Sequence, residues 1–495
     1  MSAAYHHPEV ASRPISDALL AELRAAFGPQ LSTAPAVREQ HGQDESSFIV
    51  PPPAAVVFAQ STADVVTAVR RAAWHRAPVI PFGAGSSIEG QILAVHGGIS
   101  LDLGRMDCIL SVNPEDMTVT VQAGVRRLQL NEALKRDGFF FPVDPGADAT
   151  IGGMTATRAS GTTAVRYGTM RDNVLALEVV TATGEVIRTG TRAKKSSAGY
   201  DLTRLMIGSE GTLGVVTEIT LRIHPLPEAV SAAICYFDTL DAAVRTSIAV
   251  TQLGVPIARC ELLDANTVRL VNRHSHTDLR ESPMLLMEFH GSPDGVREQA
   301  EAVEQIAREE GGNAFEWATH PEDRTRLWTA RHHAYFAGIQ SIPGCRAITT
   351  DVCVPVSQLA RAVADAVDDA NGSGIPYFLV GHVGDGNFHI DYLIDPRDDA
   401  QRACCERLNE ALVERAIAVG GTCSGEHGIG LHKMRFLDAE TGAGAVDMMR
   451  AIKRALDPDD ILNPGKIFSR PAAAHAGSIC IGNVGSDAHS PSEAS

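Results

Sequence analysis

The sequence predicts an α+β protein of two domains, and three observations carry that expectation. A strand–helix–strand pattern opens at residue 54 and implies a layered first domain. A strand-rich stretch then runs from Val174 to the breakers Pro225 and Pro227, where a domain boundary falls. Beyond it, strands and helices alternate again around a strong hairpin string. The 495 residues exceed one ordinary core, so two or three folding units are expected.

Taken in order, residues 1–49 read as an N-terminal arm: an amphipathic helix near 15–27, then polar sequence ending HGQDESS. Pro51, Pro52 and Pro53 punctuate the entry to a first domain spanning 50–227. AAVVFA (54–59) is a short apolar strand. Ser61 with Asp64 forms a capping-box pattern ahead of VVTAVRRAAW, in which Val65, Val69 and Ala72 share one helical face. PVIPF (78–82) is a second strand. LALEVVTATGEVI reads as two strands joined at Thr183 and Gly184, and residues 214–225 as another strand of alternating character. Residues 228–440 form a second domain that mixes strands with helices such as 296–310. LDPDDILNPGKIF belongs to a turn-rich return segment, 441–470, expected to contact the first domain. The Ala/Gly/Ser-rich tail, 471–495, has no periodicity and is expected to be disordered.

Composition narrows the function classes. The chain is 44% hydrophobic and 21% charged, ordinary for a folded soluble protein. Sixty acidic against 43 basic residues leave a net charge of −17, which argues against nucleic acid or an anionic membrane as partner. No run of about 18 apolar residues reads as a membrane span, and the N-terminus lacks a secretory pattern. The expectation is a cytoplasmic protein, with peripheral contact to an inner membrane and the oligomeric state left open. The nine cysteines include no CxxC pair, so they read as reduced thiols. A fused iron–sulfur domain needs clustered cysteines, so any electrons leave to a separate acceptor.

PFGAGSSIEG places Gly83, Gly85 and Gly90 after a strand, with Ser86 and Ser87 between them. Glycines let backbone N–H groups converge on an anion, and serines add donors. Alone, the string reads equally well as a tight turn, and it is not the dinucleotide fingerprint GxGxxG. A second segment, 144–174, is dense in glycine and small hydroxyl residues and reads as a long loop around a ligand. A third, 199–221, carries Gly208, Gly211 and Gly214 before a strand.

Together these three segments resemble the FAD domain of the vanillyl-alcohol-oxidase and p-cresol-methylhydroxylase (PCMH-type) flavoproteins, with RYGTMRDNV and GSEGTLG the most specific strings. The resemblance implies a two-subdomain FAD-binding domain followed by an α+β substrate domain with an antiparallel sheet. It assigns the FAD pyrophosphate to Pro81, Gly83, Ala84, Gly85, Ser86 and Ser87. The adenosine and flavin path falls to Pro145, Gly146, Ala147, Thr150, Gly153, Thr155, Ser160 and Gly161, with Gly211, Val215, Val216 and Asn463 as further contacts. The first loop holds no histidine, so the FAD is expected to be non-covalent.

YFLVGHVGDGNFHIDYLID (377–395) reads as strand, turn, strand. With Gly384, Asp385, Gly386 and Asn387 as the turn, Val383 faces Phe388 and His382 faces His389. Directly opposed residues have Cβ atoms about 4.5–5.5 Å apart, close enough for two imidazoles to share a metal. Asp391 falls on the same face, whereas a slip of one residue would part the histidines. CSGEHGIG (423–430) supplies Glu426 and His427. Two imidazoles and a carboxylate suit a divalent transition metal, although histidines beside glycines are more often structural hydrogen-bonders.

GHVGDGNFH, SGEHGIGLHK, ITTDVCVP and LDPDDILNPGKIF resemble the C-terminal domain of FAD-linked D-2-hydroxy-acid dehydrogenases, which include D-lactate, D-2-hydroxyglutarate and glycolate enzymes. With the FAD domain, the likeness covers residues 40–470. It gives His382, His389 and Glu426 the role of ligands to a divalent metal such as Zn or Mn, and His427 that of base. Arg331, in a helix expected over 327–338, becomes the clamp on the substrate carboxylate, with Tyr335 one turn later and Asp391 lining the same pocket. D-2-hydroxyglutarate members carry a lysine where this chain has Thr349, so the D-lactate branch, linked to cytochrome, is favoured. Cytochrome, quinone or an electron-transfer flavoprotein would accept the electrons. Rival readings are the flavin subunit of a glycolate dehydrogenase, a metal-dependent hydrolase on an inert scaffold, and a flavin-binding protein without turnover.

Overall fold

A computed structural model describes residues 15–46, 48–318 and 320–468. The expected disordered tail lies outside those residues. The predicted arm does not stand apart. Ser16 caps the helix Asp17–Phe27 by accepting the Leu19 N–H, and Leu19, Leu23 and Phe27 are buried in the first core. Their partner is the helix Thr62–Trp74, through Val65, Ala68, Val69 and Ala72. Ser61 caps that helix as expected, but the Asp64 carboxylate accepts from the Gln60 N–H and so closes no capping box with Ser61.

The first domain holds two sheets. The smaller has the order Leu31–Ser32, Ala55–Phe58, Ile99–Asp102, Val79–Phe82. The strand Ile99–Asp102 runs parallel to both neighbours and separates the two strands read from the sequence. ISLD is too short to announce itself, yet Ile99 and Leu101 are fully buried. The larger sheet is antiparallel, ordered Ile109–Asn113, Thr118–Gln122, Val215–Arg222, Val174–Val180, Val186–Gly190. The segment 144–174, expected as loop throughout, contains the helix Ile151–Thr157. Thr150 caps it by accepting the Gly153 N–H, and Ile151 and Met154 anchor it in the core.

The second domain is one large antiparallel sheet. Its order is Gly312–Ala318, Ala229–Phe237, Met284–Gly291, Arg259–Leu263, Tyr377–His382, Asn387–Ile394, Arg346–Thr349. Val352–Cys353 also pairs with Asn387–Ile394. One face packs on Leu240–Gln252, Pro293–Glu309, Leu359–Ser373 and Asp399–Ala418 through Val250, Val303, Val363 and Leu412. Leu379, Phe388 and Ile390 point to that side, so the strand period sends Val380, His382, His389 and Asp391 to the other.

The return segment enters the first core. Ile461 and Leu462 are buried there, and Leu462 bridges Val79 in parallel. Val79 donates to the Ile461 carbonyl at 2.7 Å, and Asn463 donates back to the Val79 carbonyl at 2.9 Å. Among the described residues, no helix is long and apolar enough to cross a membrane.

Candidate active site

A cavity of about 500 Å³ lies where the two domains meet. Its first-domain wall is built from small residues, including Gly83, Ala84, Gly85, Ser86, Ser87, Gly146, Ala147, Ser160 and Gly161. Pro81, Pro145, Thr150, Gly153, Gly211, Val216 and Asn463 line it as well. Two residues assigned to the cofactor path do not. Thr155 is fully buried, and its hydroxyl donates to the Ile151 carbonyl one turn back. Val215 packs wholly inside the first core, because alternation along its strand turns Val216 to the cavity instead.

The far wall comes from the second domain and gathers Arg331, Tyr335, His382, His389, Asp391, Glu426 and His427. The hairpin register differs from the expected one. His382 faces Asn387 and His389 faces Val380, so the turn is Val383, Gly384, Asp385 and Gly386. Asn387 is held in the ladder because its side-chain amide donates to Asp351 Oδ1 at 2.9 Å and to the Val352 carbonyl at 2.8 Å. Moving the turn by one residue shifts the pairing by two, and an even shift keeps each side chain on its face. The histidines are therefore diagonal neighbours, ring centroids 5.6 Å apart.

Glu426 completes the group. Its Oε1 lies 3.2 Å from His382 Nε2 and 3.4 Å from His389 Nε2, and the three candidate ligand atoms fall within 4.8 Å of one another. Both rings are oriented from behind. His382 Nδ1 meets Glu261 Oε1 at 2.7 Å, and His389 Nδ1 meets the Thr350 carbonyl at 3.0 Å. These acceptors place the Nδ1 protons and turn both Nε2 atoms toward Glu426, the arrangement imidazole metal ligands need. Burial disfavours a charged His382, but Glu261 and Glu426 outweigh it and hold the imidazole well above the usual histidine range. The donor set, two imidazole Nε2 atoms and one carboxylate oxygen, fits a divalent metal.

His427 stacks on His389 with centroids 5.0 Å apart and planes 10° apart. Its Nδ1 is 3.5 Å from Glu89 Oε1 and 3.7 Å from Asp351 Oδ2. Burial lowers its proton affinity, but Asp351 and Glu89 raise it further, so the imidazole is a stronger base than a free histidine. Asp351 organises this loop from a fully buried position. Its Oδ2 accepts from Ser424 Oγ, the Glu426 N–H, the His427 N–H and Lys433 Nζ at 3.0–3.2 Å. Gly425 must be glycine here, since a Cβ would come within 2.2 Å of Asn387 Nδ2.

Arg331 reaches the cavity, but not as a free fork. Its Nε and Nη2 both lie 2.8 Å from Glu261 Oε2. The expected helix over 327–338 is also broken at His333, between Pro321–His332 and Ala334–Ser341, and Tyr335 belongs to the second piece. Burial pushes the Tyr335 hydroxyl up to about 12. Thr349 donates to Asp391 Oδ1 at 2.6 Å, and burial raises the Asp391 carboxyl.

Sequence reasoning assigned no role to Glu89, Glu210, Glu261, Asp351 or Lys433. All five are buried. Glu210 accepts the Ile429 and Gly430 N–H groups at 2.7 and 2.9 Å, tying the GSEG loop of one domain to the GEHGIG loop of the other. Burial raises its carboxyl to about 7. The available signal was a charge embedded in an apolar run, as in CELL around Glu261.

Fold and cavity define a two-domain protein in which a wall of small residues from the first domain faces a histidine–carboxylate cluster from the second. Comparisons with known proteins agree. Residues 53–190 match the family described as FAD binding domain, and residues 226–467 match FAD linked oxidases, C-terminal domain. The chain is 44% identical over 454 residues to the probable mitochondrial D-lactate dehydrogenase of Danio rerio, covering 91% of each chain. It is also 44% identical to the mitochondrial D-lactate dehydrogenase [cytochrome] of Arabidopsis thaliana, over 91% of this chain and 80% of that one. In fold it matches p-cresol methylhydroxylase with a TM-score of 0.78 at 18% identity, covering 93% of this chain and 99% of the other. The chain belongs to the FAD-linked D-2-hydroxy-acid dehydrogenases, in the group of cytochrome-type D-lactate dehydrogenases.

Proposed function

We propose that this protein oxidises D-lactate to pyruvate and passes the electrons to a separate acceptor, such as a cytochrome. One observation carries the reading: the small-residue channel of the FAD domain opens directly onto His382, His389, Glu426, His427 and Arg331. When bound, FAD supplies an acceptor for the C2 hydride, and a divalent metal supplies a Lewis acid for the C2 hydroxyl.

The chain's own groups prepare that transfer. Arg331 binds the substrate carboxylate from the cavity wall. His382, His389 and Glu426 hold the metal, with Nε2 presented by each ring. His427 takes the hydroxyl proton, its basicity supported by Asp351 and Glu89 behind Nδ1. Holding carboxylate and hydroxyl together fixes C2 in one orientation. Thr349 gives its hydroxyl to Asp391 and offers no charge to a second substrate carboxylate, which favours a monocarboxylic acid over D-2-hydroxyglutarate.

Anaerobic addition of D-lactate to the purified yellow protein should bleach its visible flavin band, and L-lactate should not. No bleaching by any D-2-hydroxy acid would overturn the reading. His382→Ala should retain FAD and lose both bound metal and turnover. Full turnover in that variant would remove the metal from the reaction.

A further inference from the structure

Glu261 is fully buried in the strand Arg259–Leu263, which pairs with Tyr377–His382 at the centre of the second sheet. Cys260 and Leu262 pack into the helical core on one side, so strand alternation turns Glu261 to the side that carries His382. The carboxylate divides its oxygens between two groups of different origin. Oε1 takes His382 Nδ1 from the hairpin at 2.7 Å, and Oε2 takes Nε and Nη2 of Arg331 from the helix Pro321–His332, both at 2.8 Å.

We propose that Glu261 is a positioning residue that sets the metal-facing tautomer of His382 and the orientation of the Arg331 guanidinium at the same time. This rests on the metal and carboxylate roles assigned above. A carboxylate is the group able to serve both partners, since each presents N–H donors and each oxygen only accepts. A glutamine in its place offers one acceptor oxygen and an NH₂ that meets another donor. Either His382 then reverses its tautomer and carries its proton on Nε2, the atom that faces Glu426, or Arg331 loses its hold and drifts in the cavity. Because one residue governs both, disturbing it weakens two affinities that are otherwise independent.

The test uses the full-length FAD-loaded protein after chelation and dialysis, with Mn²⁺ or Zn²⁺ alone as the first probe and D-lactate as the second. Wild type should bind one metal ion per chain, and Glu261→Gln should raise the metal dissociation constant about 10–100-fold. The same substitution should raise KM for D-lactate at saturating metal, while FAD content stays at the wild-type level. Glu261→Asp keeps the buried charge, and so the fold, but is one methylene too short to reach both partners. It should weaken metal binding or raise KM by at least several-fold. Arg331→Met, which leaves Glu261 on His382, should raise KM with metal affinity unchanged.

Wild-type metal affinity and KM in Glu261→Asp, or in a folded Glu261→Gln, would overturn the proposal. Loss of metal in Arg331→Met to the same degree as in Glu261→Gln would also count against it, because the effect would then track general damage. Failure of wild type to bind metal would instead sink the underlying reading of the histidine–carboxylate cluster. The two failures are therefore distinguishable.

Discussion

Lys433 holds its ammonium 3.0 Å from Asp351 and 3.2 Å from Glu89, one carboxylate from each domain, and its side chain is 1% exposed. Burial disfavours its charge, yet the two anions outweigh that and keep it protonated. Lys433→Met therefore leaves two buried carboxylates facing each other. It should destabilise the protein by about 3–5 kcal/mol, read as a shift in denaturant midpoint. His427 differs, since its ring lines the cavity. His427→Asn should lower kcat about 10²–10⁴-fold while flavin content and melting temperature stay near wild type. A fall in KM alone would argue against its role as base.

At the scale of elements, the hairpin shows how much the sequence discloses. The GDGN string located a turn, and the two-residue period put His382, His389 and Asp391 on one face, as found. The pairing itself was misread, because the register depends on Asn387 binding Asp351 and Val352 from a strand far away in sequence. Buried connectors such as Glu261 and Glu210 were illegible for the same reason, since their partners lie across the sheet or across the domain boundary. Motif residues that touch the cavity were legible. Those that hold them in place were not.

The loop bearing His432 makes a pH prediction at this scale. His432 bridges Glu89 at 3.0 Å and Glu406, on the helix Asp399–Ala418, at 3.2 Å. Burial disfavours its charge, but the two carboxylates raise its pKa to about 9. A folded-state value above the unfolded one gives stability that is complete below about pH 6.5 and lost as pH rises through 9. The melting temperature of His432→Gln should therefore lie a few degrees, roughly 1–4 °C, below wild type at pH 6, and the gap should close by about pH 10. A gap that widens with pH would contradict this.

For the whole molecule, the two domains share more than a cavity. Asp144 of the first accepts Arg259 of the second at 3.0 Å, and Glu210 and Glu89 hold the 427–433 loop from below. Lys453 donates to the Thr212 and Leu462 carbonyls at 2.8 Å and closes the return segment onto the first domain. A chain ended at Asp457 loses Ile461 and Leu462 from the first core and Asn463 from the cavity wall. It should purify with little flavin and melt well below the intact protein.

The pairing of Leu462 with Val79 also bears on how the protein is made. The ribosome releases residues near 79 long before it reaches 462, so the small mixed sheet waits through most of translation for its last strand-like neighbour. Nascent chains stalled before that point should remain open to protease and empty of cofactor. Flavin loading then becomes a post-synthetic event, which would delay redox activity until the chain has been released.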